Sequence, residues 1–189
     1  SGSTGNAEVN NGTTALIIAA STVGGNLTLT SGAAAGIIDS GDVSVAGNLV
    51  ATTNANSGLI NMGTLEVDGT VALTTHGDGN ATIVNDAQIN FANSTVRGDL
   101  SARAAAGNII DTGILTISGT SIFTTTANNA TITLDSVNVL TGAVALNTSD
   151  TGGHAVVDND GTTALIIGAS TVGGNLTLTS GAAAGITDS

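Results

Sequence analysis

The chain has 189 residues, two Arg, no Lys and a formal net charge of −12, which argues against nucleic acid or an anionic membrane surface as a partner, because phosphate neutralisation draws on Lys and Arg. Cys, Pro, Trp and Tyr are absent, so disulfide staples and thiolate metal sites are excluded. The 41% apolar share against 8% charged excludes a disordered acidic tail, and no run reaches the ~18 apolar residues of a membrane span.

The opening "SGS" reads as a cut from a longer chain. From residue 12, "GTTALIIAASTVGGNLTLTSGAAAGIIDS" matches residues 161–189 at 27 of 29 positions, the differences being Ala19 against Gly168 and Ile38 against Thr187. A looser echo, "STVRGDLSARAAAGNIIDTG", begins at Ser94.

Along the chain, "VGGNLTLT", "LEVDGTVALTT" and "LTISGTSIFTT" alternate with period two and predict strands with one buried face. Each carries a glycine two residues after an aliphatic one: Gly25, Gly47, Gly69, Gly98, Gly119, Gly142 and Gly174. Successive sequence steps are 22, 22, 29, 21, 23 and 32, which total 149. A second strand per unit ends in an aliphatic pair before Asp or Asn, giving a column Asp39, Asn61, Asn85, Asp111, Asp135, Asp158 and Asp188.

Two columns sharing one register predict a solenoid. Units this small cannot bury their own apolar faces, so they stack strand upon strand at ~4.8 Å. The expected fold is all-β: a parallel β-helix (β-solenoid) of about seven coils of 21–32 residues, with right-handed coiling the usual sense for parallel crossovers. Residues 1–189 form one segment, with modules at about 21–93, 94–169 and 170–189, and 1–20 ending a preceding module. Every third coil is longer by "AQINFANS" or "GTTALIIGAS". We read the surplus as an extra perimeter strand in an enlarged coil, with a protruding recognition feature as the alternative.

Units such as "VGGNLTLTSGAAAGIIDSG" and "VAGNLVATTNANSGLINMG" resemble the filamentous haemagglutinin-type repeats of large bacterial adhesins. That resemblance covers nearly the whole chain. It implies a β-helical shaft of a secreted or cell-surface protein, and it transfers no active site.

Candidate sites are few. Stacked carboxylates of Asp39, Asp111, Asp135 and Asp158 could offer oxygens to Ca²⁺. Asn61 and Asn85 interrupt them, and "DSG", "NMG" and "DTG" are ordinary strand-ending turns. His76 with Asp78, and His154 with Asp150, Asp158 and Asp160, sit on Gly-rich loops that could hold a weak cation. Arg97 and Arg103 are expected to pair with Asp99 at the surface. No clustered carboxylates or nucleophile motif support catalysis. Outward threonines could organise water, but beside Ala102 the series changes to Ser101 and Arg103.

The sequence therefore predicts a non-enzymatic extracellular shaft with no required cofactor, which projects a binding region from a bacterial surface. The alternative is direct binding of a glycan or protein through the longer coils. Expected partners are adjacent repeats of the same chain and a host, neighbouring-cell or glycan surface, with end-to-end stacking of exposed coil faces a further possibility.

Overall fold

A computed structural model describes residues 4–159 and 163–189. The "SGS" start, Asp160 and the first two residues of "GTTALIIGAS" lie outside the described residues. The described chain is all-β. It forms two eleven-stranded sheets in which every strand pairing is parallel, as in Leu27–Ser31 on Leu49–Asn56 or Ile37–Asp39 on Ile60–Val67.

The first sheet climbs through Ala7–Asn10, Leu27–Ser31, Leu49–Asn56 and Thr70–His76. It continues through the pairs Ile89–Phe91 with Ser94–Val96 and Ile109–Asp111 with Leu115–Ile117, then Ile132–Leu140, Ala155–Asn159 and Leu176–Ser180. The second sheet faces it with as many levels. The fold is the expected parallel β-solenoid, with about nine turns where the glycine column suggests about seven.

Alternation drives this arrangement. In Leu27–Ser31 the burial pattern puts Leu27, Leu29 and Ser31 inside and leaves Thr28 and Thr30 outward. The same holds level after level, so Leu29, Ala51, Leu73, Ile83, Ala102 and Phe123 are all sealed from solvent. Phe91 from the first sheet meets Phe123 from the second edge-to-face across the core, with ring centroids 6.2 Å apart, a favoured aromatic geometry.

The pitch is uniform, and this corrects the enlarged-coil reading. Strand ladders join positions whose sequence separation runs only from 19, as for Ala81 and Leu100, to 23, as for Ile132 and Ala155. Each turn has a short side, one strand such as Leu27–Ser31, and a long side bent at a corner, such as Ile37–Asp39 followed by Val43–Val45. Through Thr70–His76 the short side belongs to the first sheet. From Ala81–Asn85 to Val144–Asn147 it belongs to the second, and with Ala155–Asn159 it returns to the first.

The long steps after Gly69 and Gly142 are therefore one and a half turns. "AQINFANS" adds an ordinary half turn of wall, with Ile89 and Phe91 fully buried in it. It forms neither a bulge in a wider coil nor a projection. Seven steps of the first sheet separate Leu27–Ser31 from its copy Leu176–Ser180, so the 149-residue repeat spans whole turns.

Candidate functional site

The glycine column marks a tight edge of the rod. Gly47 N–H donates to Gly25 O, and Gly69 N–H to Gly47 O, at 3.0 and 3.1 Å. A Cβ on Gly47 would lie 2.7 Å from the Gly25 carbonyl carbon, so only glycine allows the turns to close here. Two members escape the sequence column: Gly79 receives the Gly98 N–H and Gly153 the Gly174 N–H, each at 3.0 Å. They begin new stacks where the short side changes sheet.

Asn or Asp placed directly after several of these glycines builds a side-chain ladder that sequence reasoning missed. Asn6 accepts from Asn26 N–H at 2.9 Å, Asn26 from Asn48 N–H at 2.9 Å, and Asn48 from Thr70 N–H at 2.8 Å. In the middle turns Asn80 accepts from Asp99 N–H at 2.8 Å, and Asp99 from Thr120 N–H at 2.7 Å. The Asn in "GGNL" and "AGNL" was the available signal.

The Asp/Asn column is not one column. Asp39, Asn61 and Asn85 belong to strands of the second sheet, whereas Asp111, Asp135 and Asp158 belong to the first. Asp39 accepts from Gly63 N–H, Thr64 N–H and Thr64 Oγ1–H at 3.0, 2.7 and 3.1 Å. Asp111 accepts from Asp135 N–H at 3.0 Å, Ser136 N–H at 3.3 Å and Asn138 Nδ2–H at 2.7 Å. Both therefore cap the bent corner of the next turn, where a turn-ending residue would have bonded its own backbone. Burial pushes the Asp111 carboxyl above the usual carboxylate range, opposed by those three donors and reinforced by the neighbouring Asp135 charge.

Asp111 faces inward while Asp135 is exposed and Asp158 half-buried on the outer surface. The four calcium candidates are thus not brought together. Among the described residues no group of three His, Cys, Asp or Glu side chains is placed to hold a metal ion.

The two histidine loops occupy opposite edges of the solenoid, since one leaves the first sheet and the other enters it. His76 Nδ1–H donates to Thr53 O at 2.7 Å. His154 Nδ1 accepts from Asn175 N–H at 2.8 Å and takes the place of asparagine in the ladder. Arg97 and Arg103 do not pair with Asp99. That carboxylate accepts from Thr120 instead, and Arg103 Nη2 lies 3.4 Å from Thr126 Oγ1.

The change of sheet also joins threonines that the sequence columns separate. Thr30, Thr52, Thr74, Thr95 and Thr116 stack in unbroken register on the outside of the first sheet. The ladder is a single file, flanked on one side by Thr28, Val50 and Ala72.

One groove, of about 310 Å³, opens where the corner of the second sheet stops, lined by Asp42, Thr64, Glu66, Val84, Asp86 and Ala105. The Asp86 carboxyl is pushed up by partial burial and then by the charges of Glu66, Asp68 and Asp42.

These features define a repeat protein of the parallel β-solenoid class. Within it, residues 78–147 match a family model described as repeats of unknown function (DUF5649). That stretch starts beside Gly79 and stops before Thr148, so it covers nearly all of the module between the two changes of side. No curated protein and no solved structure matches the chain.

Proposed function

We propose that the chain is a length of structural shaft in a secreted or cell-surface bacterial adhesin of the filamentous haemagglutinin-like kind, which holds a binding region away from the cell. The observation that carries this reading is that the near-verbatim 149-residue repeat spans a whole number of turns. Each further copy then extends the same rod with every side chain in its former column. Parallel ladders carry load along the axis, aliphatic columns seal the interior, and the acidic surface keeps rods apart. Its role is mechanical and uses neither cofactor nor catalysis.

In-frame deletion of one 149-residue unit from the parent gene tests it. The expected result is a shorter stand-off between cell and target surface with export intact and adhesion weakened. Adhesion and stand-off indifferent to the number of units would overturn the proposal.

The groove at Glu66 and Asp86 favours a second reading, direct binding of a cationic or hydroxyl-rich surface by this segment. Binding of the purified chain to a glycan panel, lost in Glu66→Gln/Asp86→Asn, would support it. An equal signal from the double variant would remove it.

A further inference from the structure

A change of side poses a hydrogen-bonding problem beyond that of the bent corner itself, where the buried Asn138 already accepts from Leu115 N–H at 2.8 Å. Where a bent long side is followed by a single strand, the last backbone N–H and C=O of the long side lose their ladder partners. Where a single strand is followed by a bent pair, the bend withdraws a partner from the strand below. Buried groups left so would each cost about 1–3 kcal/mol.

At the first change, the end of Ile60–Val67 faces the shorter strand Ala81–Asn85. Asn85, fully buried, turns its carboxamide back on that end. Its Oδ1 accepts from Val67 N–H at 2.8 Å, and its Nδ2–H donates to Val67 O at 3.0 Å and Gln88 O at 2.7 Å. The carboxamide thus reproduces both halves of the missing backbone pairing. On the other sheet, Ser94 Oγ accepts from Leu73 N–H at 3.1 Å and donates to Ala92 O at 2.9 Å, filling the gap at the bend.

The second change repeats this solution with the sheets exchanged. Asn159, also fully buried, accepts from Leu140 N–H at 2.7 Å and donates to Leu140 O at 3.2 Å. Ser170 Oγ accepts from Leu146 N–H at 3.0 Å and donates to Gly168 O at 2.8 Å. The sequence separation is 74 from Asn85 to Asn159 and 76 from Ser94 to Ser170, one module in each case. On the opposite edge Thr75 and Thr148 also correspond. Each hydroxyl donates to a glycine carbonyl, Gly79 or Gly153, and accepts a backbone N–H from the following turn.

We propose that the pairs Asn85/Ser94 and Asn159/Ser170 are phase locks: side-chain stand-ins for backbone that permit, and fix in place, a half-turn transfer of the bent corner from one sheet to the other. The aliphatic columns accept either side, since Leu, Val and Ile line both sheets. The locks decide where the side changes. Corner-borne features then alternate between two opposite sides of the rod every three and a half turns, roughly 17 Å at the usual strand spacing. Two such modules restore the starting side, which makes the 149-residue repeat the true translational unit. The acidic corner of Asp42 and Glu66 and the apolar corner of Ile114 and Val137 accordingly sit on different sheets.

Residue-resolved amide hydrogen exchange tests this. In the unaltered chain the amides of Val67, Leu140, Leu73 and Leu146 should be protected like ladder amides; exchange at the rate of exposed loops would overturn the proposal without any variant. Asn85→Thr keeps a buried polar side chain of the type found at Thr53 and Thr125, but its single hydroxyl sits at the γ position, one bond short of the two carboxamide atoms that meet Val67 N–H and C=O. It should speed exchange at Val67 by about ten- to a hundredfold and leave Leu140 unchanged. Ser94→Ala should do the same at Leu73 alone. Unchanged protection of Val67 in Asn85→Thr would show that Asn85 merely fills its corner.

Discussion

Leu27–Ser31 and Leu176–Ser180 spell the same five residues and adopt the same strand, yet the first is sealed in the core whereas the second, in this segment, leaves Leu176 exposed and Leu178 half-buried. In the first, Leu27 and Leu29 are 3% and 0% exposed; in the second, Leu176 is 43% exposed. The difference is the turn above. Leu49–Asn56 covers the first copy, whereas Leu176–Ser180 pairs only with Ala155–Asn159 below it. Burial in this molecule is a property of stacking, as expected of a quasi-one-dimensional solenoid.

The contrast can be forced hardest with a charge. Leu29→Asp places an unpaired carboxylate in the sealed interior, a cost comparable with the ~5–15 kcal/mol that holds a typical domain together. The chain should lose its β-sheet circular dichroism, whereas Leu178→Asp should leave it folded. A milder version truncates the same pair. Leu29→Ala should lower stability by about 2–5 kcal/mol in urea unfolding, and Leu178→Ala by less than half as much.

Asp39 and Asp188 extend the comparison to the corners. Asp39 caps Gly63 and Thr64 of the next turn, so Asp39→Ala should cost about 1–2 kcal/mol. Asp188 has no such turn to cap in this segment, and Asp188→Ala should leave the unfolding midpoint in place.

The smallest effect concerns the acidic groove. Because the Asp86 carboxyl is raised, the folded chain binds this proton more readily than the unfolded one. Its unfavourable contribution is present at neutral pH and relieved as pH falls through the raised value towards the ordinary 3.8. Asp86→Asn should therefore stabilise at pH 7 by at most a few tenths of a kcal/mol after solvent screening. The gain should shrink in high salt and vanish near pH 3, as read from paired thermal melts.

Strands, turns and the solenoid are legible in the sequence because alternation and the glycine spacing are local. The long steps after Gly69 and Gly142 are equally visible, but period-two alternation does not say which sheet a strand joins. Side is decided by pairing one turn away along the chain, so one and a half turns read as one large coil. The same non-locality hides the threonine ladder, whose members come from unlike positions of successive repeats. It also hides the locks: Asn85 reads as a strand-ending residue, and nothing near it in sequence indicates that its partner is Val67. Asp158 stands in the sequence column in place of its neighbour Asn159, which is the residue that corresponds to Asn85.

Seven regular turns fill each 149-residue repeat, three and a half to a module. Electron microscopy of rods containing increasing numbers of tandem repeats measures this directly. Seven turns predict about 34 Å of added length per repeat at ~4.8 Å per turn. Increments of about 29 Å, the length of six coils with every third enlarged, would contradict it.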